Sequence, residues 1–241
     1  MKEHSPTFTA ALPLAAILLG AAQAWSTRHQ MQPDGISYLD MGDAYLRGDW
    51  RMAINAYWSP LYSWLLGLSL RVLRPAPFWE FSVVHLVNFV IYLLALASFR
   101  FFWRDWIRSR QESPVAGPPW AWSALGYMLF LWISLNLISL NLVNPDMCVA
   151  ALVFLAAGIL VRIRASSAGW PEFAFLGIIL GFGYLAKAAM FPLALVFLAT
   201  SAFAGGGARQ AVPRALLATV AFFLIAGPFV VALSRSKGRF T

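Results

Sequence analysis

Charged residues are scarce in this chain of 241 residues: they make up 12% of it, against roughly 25% in soluble domains. Apolar residues make up 60%, and the mean hydropathy is +0.68. This shortage of charge excludes an ordinary water-soluble core. Each apolar segment must therefore satisfy its own backbone hydrogen bonds as a helix. The composition predicts an all-α fold, a polytopic membrane helical bundle.

Cysteine is also nearly missing. The single thiol, Cys148, lies in an apolar segment, which excludes a disulfide framework or a cysteine zinc cluster within the chain. Acidic residues number 10 against 18 basic ones, which gives a net charge of +8. Because the basic residues cluster between apolar segments, this charge is typical of membrane orientation and of contact with anionic lipids. We expect membrane lipids as partners and no nucleic acid.

Long apolar runs predict about seven spanning helices within one transmembrane domain that covers residues 1–241. Ala22-Gln23-Ala24 resembles a signal-peptidase site, but an uncleaved first span is the preferred interpretation. An outer loop with interfacial helices, 26–74, follows the first span. The predicted spans cover about residues 8–25, 79–103, 119–140, 147–161, 172–186, 189–204 and 215–233.

The apolar segment 59–73 decides the predicted topology. It holds about fifteen residues, short of the roughly twenty that a spanning helix needs. If it does not cross, more Lys and Arg residues fall on the cytoplasmic side, and the positive-inside rule therefore favours that alternative. Asp34, Asp146 and Lys187 then reach the same outer face. If the segment crosses, the bilayer separates Asp34 from the other two.

The first loop carries a candidate catalytic carboxylate. Asp34 stands between Pro33 and Gly35, just before a helix predicted from Ile36 to Leu46. An aspartate in that position is often a helix N-cap, which needs no chemistry. It is also a candidate general base, which would deprotonate an acceptor hydroxyl or amine at the membrane surface.

The predicted helix after Asp34 carries both apolar and acidic faces. Tyr38 belongs to a stripe that faces the lipid headgroups, and it is a candidate substrate contact. Asp40 and Asp43 share a neighbouring face, and Asp43 can pair with Arg47 four residues on. For these two aspartates a solvated helix face is the favoured interpretation.

Lys187 interrupts an apolar run in which no other residue from Phe173 to Ala204 is charged. A turn between two helices, with the amine extended to the headgroups, is one interpretation. A lysine within an apolar run also suggests a functional site, because its ammonium can bind a phosphate at the depth of the lipid headgroups. Asp146, which follows Asn144-Pro145, fits an ordinary helix start or an acidic member of the same outer-face site.

Four features resemble, in their order and spacing, the GT-C superfamily of membrane glycosyltransferases. They are an Asp in the loop after the first span, Ser59-Pro60-Leu61-Tyr62 before a short apolar helix, an acid that opens a later span, and Gly181–Lys187 before a helix with Pro192. The nearer relatives by this resemblance are the protein O-mannosyltransferases and the lipid A aminoarabinose transferases. The resemblance covers essentially the whole chain.

The resemblance implies a polyprenyl-phosphate-linked sugar donor, a lipid, glycan or protein acceptor, and an active site on the outer face of a bacterial inner membrane. It maps the family's base to Asp34 and its phosphate-binding lysine to Lys187. The chain departs from the family in two places. Gly35 stands where the family often has a glutamate, and alanines flank Lys187 where the family commonly has Thr and Gly.

These residues predict an inverting glycosyl transfer in which Asp34 removes the acceptor proton and the lipid phosphate leaves. Lys187, with Arg28 or Arg74, would stabilise the charge that develops on the phosphate. Asp146 is a further candidate substrate contact. No cofactor is required, although Asp34 and Asp146 could hold a divalent metal.

Two other functions compete with the transferase. A transporter would use Lys187 at a broken helix. A truncated, non-catalytic membrane protein is the second alternative, because relatives are longer and this chain stops just after a span. We therefore expect the chain to lack a C-terminal portion.

Overall fold

The structure, a computed structural model, describes residues 6–110, 118–165, 169–204 and 207–238, with the side chains of 6–10 and 208 excepted. Within these ranges it is helical and contains no strand, which confirms the predicted all-α class. A 3-10 turn, Pro77–Trp79, precedes α5, and a π-helical segment, Ile133–Leu137, follows α6. The helices are α1 (Pro6–Ser26), α2 (Pro33–Arg47), α3 (Trp50–Ala53), α4 (Pro60–Leu73), α5 (Glu80–Arg110), α6 (Pro119–Trp132), α7 (Asp146–Arg164), α8 (Trp170–Ala186), α9 (Met190–Ala204) and α10 (Ala208–Lys237).

Among the described residues, four helices are long and apolar enough to cross a membrane, as length and composition judge it. This agrees with the predicted integral membrane protein. The apolar parts of α1, α8 and α9 are shorter, so the count of about seven spans stays a prediction. The four long helices are Pro77–Arg110, Pro119–Leu137, Asp146–Arg164 and Arg209–Lys237.

The end of α1, the start of α5 and the end of α6 meet at one end of the bundle. The side-chain amide of Gln23 in α1 donates to the carbonyl of Leu135, 2.8 Å away. The ring of His29, just after α1, lies 5.1 Å from the ring of Phe78, just before α5. The segment 27–79 therefore leaves the bundle and returns to it at this same end. Because Ser59 of this segment accepts a hydrogen bond from Ala188, the neighbour of Lys187, we call it the Lys187 end.

Helices α8 and α10 run parallel, in direct backbone contact. A side chain at Gly177 would meet the carbonyl oxygen of Ala218, and one at Gly181 would meet Ile225. Such glycines let two helix backbones approach closely. Helix α9 packs against α7, α8 and α10, so the chain turns back after Lys187. Lys187 therefore lies in the turn of a helix hairpin.

Helices α2 and α4 cross within the segment 27–79. Gly42 and Gly67 face each other, and a side chain at Gly42 would meet the carbonyl oxygen of Ser63. This close crossing fixes α4 against α2. With 14 residues, α4 is shorter than a spanning helix.

The start of helix α2 differs from the sequence prediction. Helix α2 begins at Pro33 rather than Ile36, because proline is well suited to the first helical position. Gln32 is the N-cap, so the N-cap interpretation of Asp34 is wrong. Asp34 lies instead in the first turn, where its charge favours the positive end of the helix dipole.

Candidate functional site

The Lys187 ammonium and the Asp146 carboxylate form an ion pair. The Lys187 Nζ donates to Asp146 Oδ1 over 2.6 Å. The two side chains are 48% and 37% exposed, so both remain open to a ligand. Lys187 is held here by its backbone, which is extended (φ −157°, ψ 124°) and ends α8. The sequence predicts that these two residues reach the same outer face, and the structure brings them into direct contact.

Asp146 is positioned by the start of α7. Its backbone N–H donates to the side-chain oxygen of Asn144, 3.0 Å away. Pro145 is buried and accepts a backbone hydrogen bond from Val149 in the first turn of α7. These bonds satisfy helix-start donors without using the Asp146 carboxylate. That carboxylate is therefore left to bind Lys187.

Ser59 connects the turn after Lys187 to the start of α4. Its hydroxyl accepts a hydrogen bond from the backbone N–H of Ala188 over 3.0 Å. The sequence marks the segment Ser59–Tyr62 only by its resemblance to a family segment. In the structure it holds the Lys187 turn in place from across the bundle.

Tyr38 lies between the acidic groups of the site and an aromatic cluster. It is 5% exposed, and its ring contacts Trp58 and Tyr62 at centroid distances of 4.9 and 5.0 Å, so the prediction that this side chain faces the lipid headgroups is wrong. Burial raises the pKa of Tyr38 well above its usual value, and the nearby carboxylates of Asp146 and Asp34 raise it further. The phenol therefore stays neutral and can donate a hydrogen bond, but it cannot act as a base at neutral pH.

Asp34 lies beside this cluster, exposed in the first turn of α2. Its neighbour Gly35 is buried, and a side chain there would meet Val143 and the sulfur of Met31. Val143 belongs to the loop that leads into Asp146. A glycine at this position thus allows α2 to pack on this loop. That packing places the Asp34 carboxylate on the same side of the bundle as Asp146.

A buried polar pair beneath the site escaped sequence reasoning. The Tyr62 hydroxyl donates to the side-chain oxygen of Asn88, 2.5 Å away, and the Asn88 amide donates to the carbonyl of Leu142 over 3.3 Å. Asn88 is 4% exposed in the middle of an apolar helix. An isolated polar residue in a predicted span is a signal that could have identified it.

Two predicted arginines lie in other cavities. The Arg28 guanidinium stacks over Trp25, 4.2 Å from the ring centroid, and lines a cavity of about 410 Å³ with His85. His85 is buried and bonds to the carbonyl of Gln30 over 2.9 Å. Arg74 lines a different cavity, of about 480 Å³, which also holds Asp40 and Asp43.

Neither arginine contacts Lys187 or Asp146 through an ion pair or hydrogen bond in the described ranges. The ion pair predicted between Asp43 and Arg47 is present at 3.1 Å, with both side chains exposed. The described residues contain no group of three or more His, Cys, Asp or Glu side chains arranged to hold a metal. A metal between Asp34 and Asp146 stays a prediction.

Comparison of the chain with protein-family models, with curated proteins and with solved structures found no match. The class of protein thus follows from the fold alone: an all-helical chain, consistent with an integral membrane protein, with a polar site at one end of its bundle. The resemblance to GT-C glycosyltransferases stays a prediction.

Proposed function

We propose that this protein is a glycosyltransferase that moves a sugar from a polyprenyl-phosphate donor to a lipid, glycan or protein acceptor at the outer membrane face. The observation that supports the proposal best is the Lys187–Asp146 pair at 2.6 Å. It lies at the bundle end where Asp34 and Tyr38 also gather. A phosphate at headgroup depth needs a cation, and the acceptor needs a base, and both are available here.

Lys187 binds the donor phosphate in this proposal. An ammonium has three N–H donors, and Asp146 uses one of them. Two donors remain for the phosphate oxygens. Asp146 acts as a positioning residue, because it holds the flexible lysine side chain in one place. As the sugar leaves, negative charge develops on the phosphate, and a fixed cation stabilises that charge.

Asp34 acts as the base. The acceptor oxygen attacks the anomeric carbon, its proton passes to the Asp34 carboxylate, and the bond from the anomeric carbon to the phosphate oxygen breaks. The lipid phosphate leaves as an anion that needs no proton, so one carboxylate suffices. Attack opposite the leaving group inverts the anomeric centre. The neutral Tyr38 phenol donates a hydrogen bond to the sugar or the phosphate.

A transfer assay with purified protein in nanodiscs tests this function. Radiolabelled polyprenyl-phosphate mannose and polyprenyl-phosphate aminoarabinose serve as donors, because the resemblance covers both transferase groups. We expect D34N and K187A each to lose roughly a hundredfold or more in turnover. The matched controls D43N and R51A remove exposed charges from the same loop and should keep full activity. Equal activity of all four variants would refute the roles of Asp34 and Lys187.

Wild-type protein that binds the donor lipids without transferring sugar would point to the non-catalytic alternative.

Sidedness is tested by cysteine labelling. The only native thiol is Cys148, so C148A provides a cysteine-free background with one substitution. D34C and K187C should both react with an impermeant maleimide added from outside, whereas S109C at the other end of α5 should not. Opposite accessibility of positions 34 and 187 would end the proposal, because base and phosphate site would lie across the bilayer.

A further inference from the structure

A basic cavity of about 590 Å³ lies at the end of the bundle opposite Lys187. Helix α5 starts at the Lys187 end. Residues of its C-terminal half line the cavity, together with residues of α1 and α6. Three arginines of α5, one turn apart, face this space. They are Arg100, Arg104 and Arg108.

The polar groups that line the cavity are suited to an anion. Its described lining residues include no carboxylate. Besides the arginines, α6 contributes the hydroxyls of Ser123 and Tyr127. The indole N–H of Trp103 is buried without a hydrogen-bond partner and belongs to the same lining. A buried donor of this kind is costly unless an acceptor approaches it.

The dipole of helix α5 does not by itself explain these arginines. Cations stabilise a helix mainly within its last turn, and Arg100 lies more than two turns before the end of α5. One carboxylate, Asp105, lies on the adjacent face, where it binds Arg162 at 2.6 Å and Arg104 at 3.0 Å. Arg100 forms no ion pair in the described part of the chain. The cavity therefore retains an excess of positive charge.

The remaining walls are apolar. Leu12 of α1 and Ala97, Phe101 and Ile107 of α5 complete the lining. At the end of a long apolar helix, arginines beside an apolar surface can bind a lipid whose headgroup is anionic and whose acyl chains are apolar. The arginine stripe extends over about 12 Å at 1.5 Å per residue, longer than a single phosphate. Basic pockets between membrane helices are known sites for anionic headgroups.

We propose that this cavity binds an anionic phospholipid, with the strongest binding for a headgroup that carries two phosphates. The phosphate oxygens accept hydrogen bonds from Arg100 and Arg108, with the Trp103 N–H as a further donor. The acyl chains lie along Leu12 and Ala97. The site is separate from the Lys187 end and does not depend on the transferase proposal.

Native mass spectrometry of the full chain in detergent tests the site, with cardiolipin, phosphatidylglycerol and phosphatidylcholine as probes. We expect retention in the order cardiolipin, phosphatidylglycerol, phosphatidylcholine. The double variant R100Q/R108Q should bind cardiolipin at least tenfold more weakly. The matched control R47Q/R51Q removes two exposed arginines from the Lys187 end and should stay within twofold of wild type. R100K/R108K, which keeps the charge, should recover most of the binding.

Equal retention of cardiolipin by wild type and R100Q/R108Q would overturn the proposal, as would equal retention of cardiolipin and phosphatidylcholine. Millimolar inorganic phosphate should not displace the lipid. If it does, the site recognises a free phosphate and the lipid proposal fails. If the double variant folds poorly, the single variant R100Q tests the proposal. Arg100 forms no ion pair in the described residues, so this substitution breaks none. We expect about threefold weaker binding for R100Q, and an unchanged affinity contradicts the proposal.

Discussion

The two ends of the bundle each contain a charge cluster, and the clusters differ in how fully their carboxylates are paired. At the Lys187 end, one ammonium meets one carboxylate, and both are more than a third exposed. At the opposite end, the Asp105 side chain is 10% exposed and lies within 4.0 Å of three guanidiniums. The first cluster leaves donors and acceptors available, whereas the second has its carboxylate fully used.

This difference distinguishes a pair of charges that can bind a ligand from a cluster of charges that stabilises the fold. The Asp105 carboxylate, only 10% exposed, ties helices α5 and α7 together through its hydrogen bond from Arg162. An exposed pair is screened by water and adds little stability. The Lys187–Asp146 pair is thus poorly suited to hold the fold and well placed to bind a ligand. The comparison predicts different costs for substitutions at the two ends.

The largest effect on stability should come from D105N. We expect a loss of about 3 kcal/mol in the free energy of unfolding, because the nearly buried Asp105 side chain would lose two charge-assisted hydrogen bonds, from Arg162 and Arg104. D146N should cost less than about 1 kcal/mol, since its partner stays solvated. Thermal melting of both variants in detergent measures the difference. Equal losses would break the distinction between the two ends.

A second effect concerns the packing that brings Asp34 into the site. G35A should destabilise the protein by about 1–3 kcal/mol, because its methyl group would meet Val143 and Met31. The control G227A adds a methyl group to α10 where nothing lies within 4 Å, and it should be neutral or slightly stabilising. Melting curves test both. A tolerated G35A would mean that α2 is not held against the loop before Asp146.

A smaller effect is expected for Ser59, which supports the Lys187 turn. S59A should cost about 1 kcal/mol, because the Ala188 N–H loses its acceptor. S69A is the matched control in the same helix, since its hydroxyl only bonds to the carbonyl of Leu65. Its loss should stay below about 0.5 kcal/mol. If S59A and S69A have the same melting temperature, the hydrogen bond between Ser59 and the Lys187 turn does not contribute to stability.

The smallest effect on stability is expected for the exposed ion pair between Asp43 and Arg47. D43N removes the partner of Arg47 in an ion pair whose side chains are 59% and 65% exposed. We expect a change below about 0.5 kcal/mol that disappears in high salt. Chemical denaturation at low and high salt measures it. A loss as large as that of D105N would show that exposure does not decide the strength of ion pairs in this protein.

Much of the fold could be predicted from the sequence. Apolar runs without charge predict helices with self-contained hydrogen bonding, and the proline at the first turn of α4 indicates where that helix begins. Lys187, alone in an apolar run, was correctly singled out as a place where the chain changes direction. The start of α2 was placed three residues late, because the apolar stripe begins after the actual first turn.

The site was only partly predictable. Asp146 and Lys187 are 41 residues apart, and no local pattern indicates that their side chains meet at 2.6 Å. Arg28 and Arg74 carry the right charge for a phosphate site, yet each lies in a separate cavity. Asn88 was overlooked because one polar residue does not alter the apolar character of a span.

The sequence alone determined the helical class, the positions of most helices and the polar character of one loop, because hydropathy and backbone hydrogen bonding act locally along the chain. Only the tertiary structure decided which charges meet, because those contacts depend on how close the helices approach. Glycines at 35, 42, 67 and 177 set that approach, and it brings Lys187 to Asp146 while Arg28 and Arg74 remain apart from them.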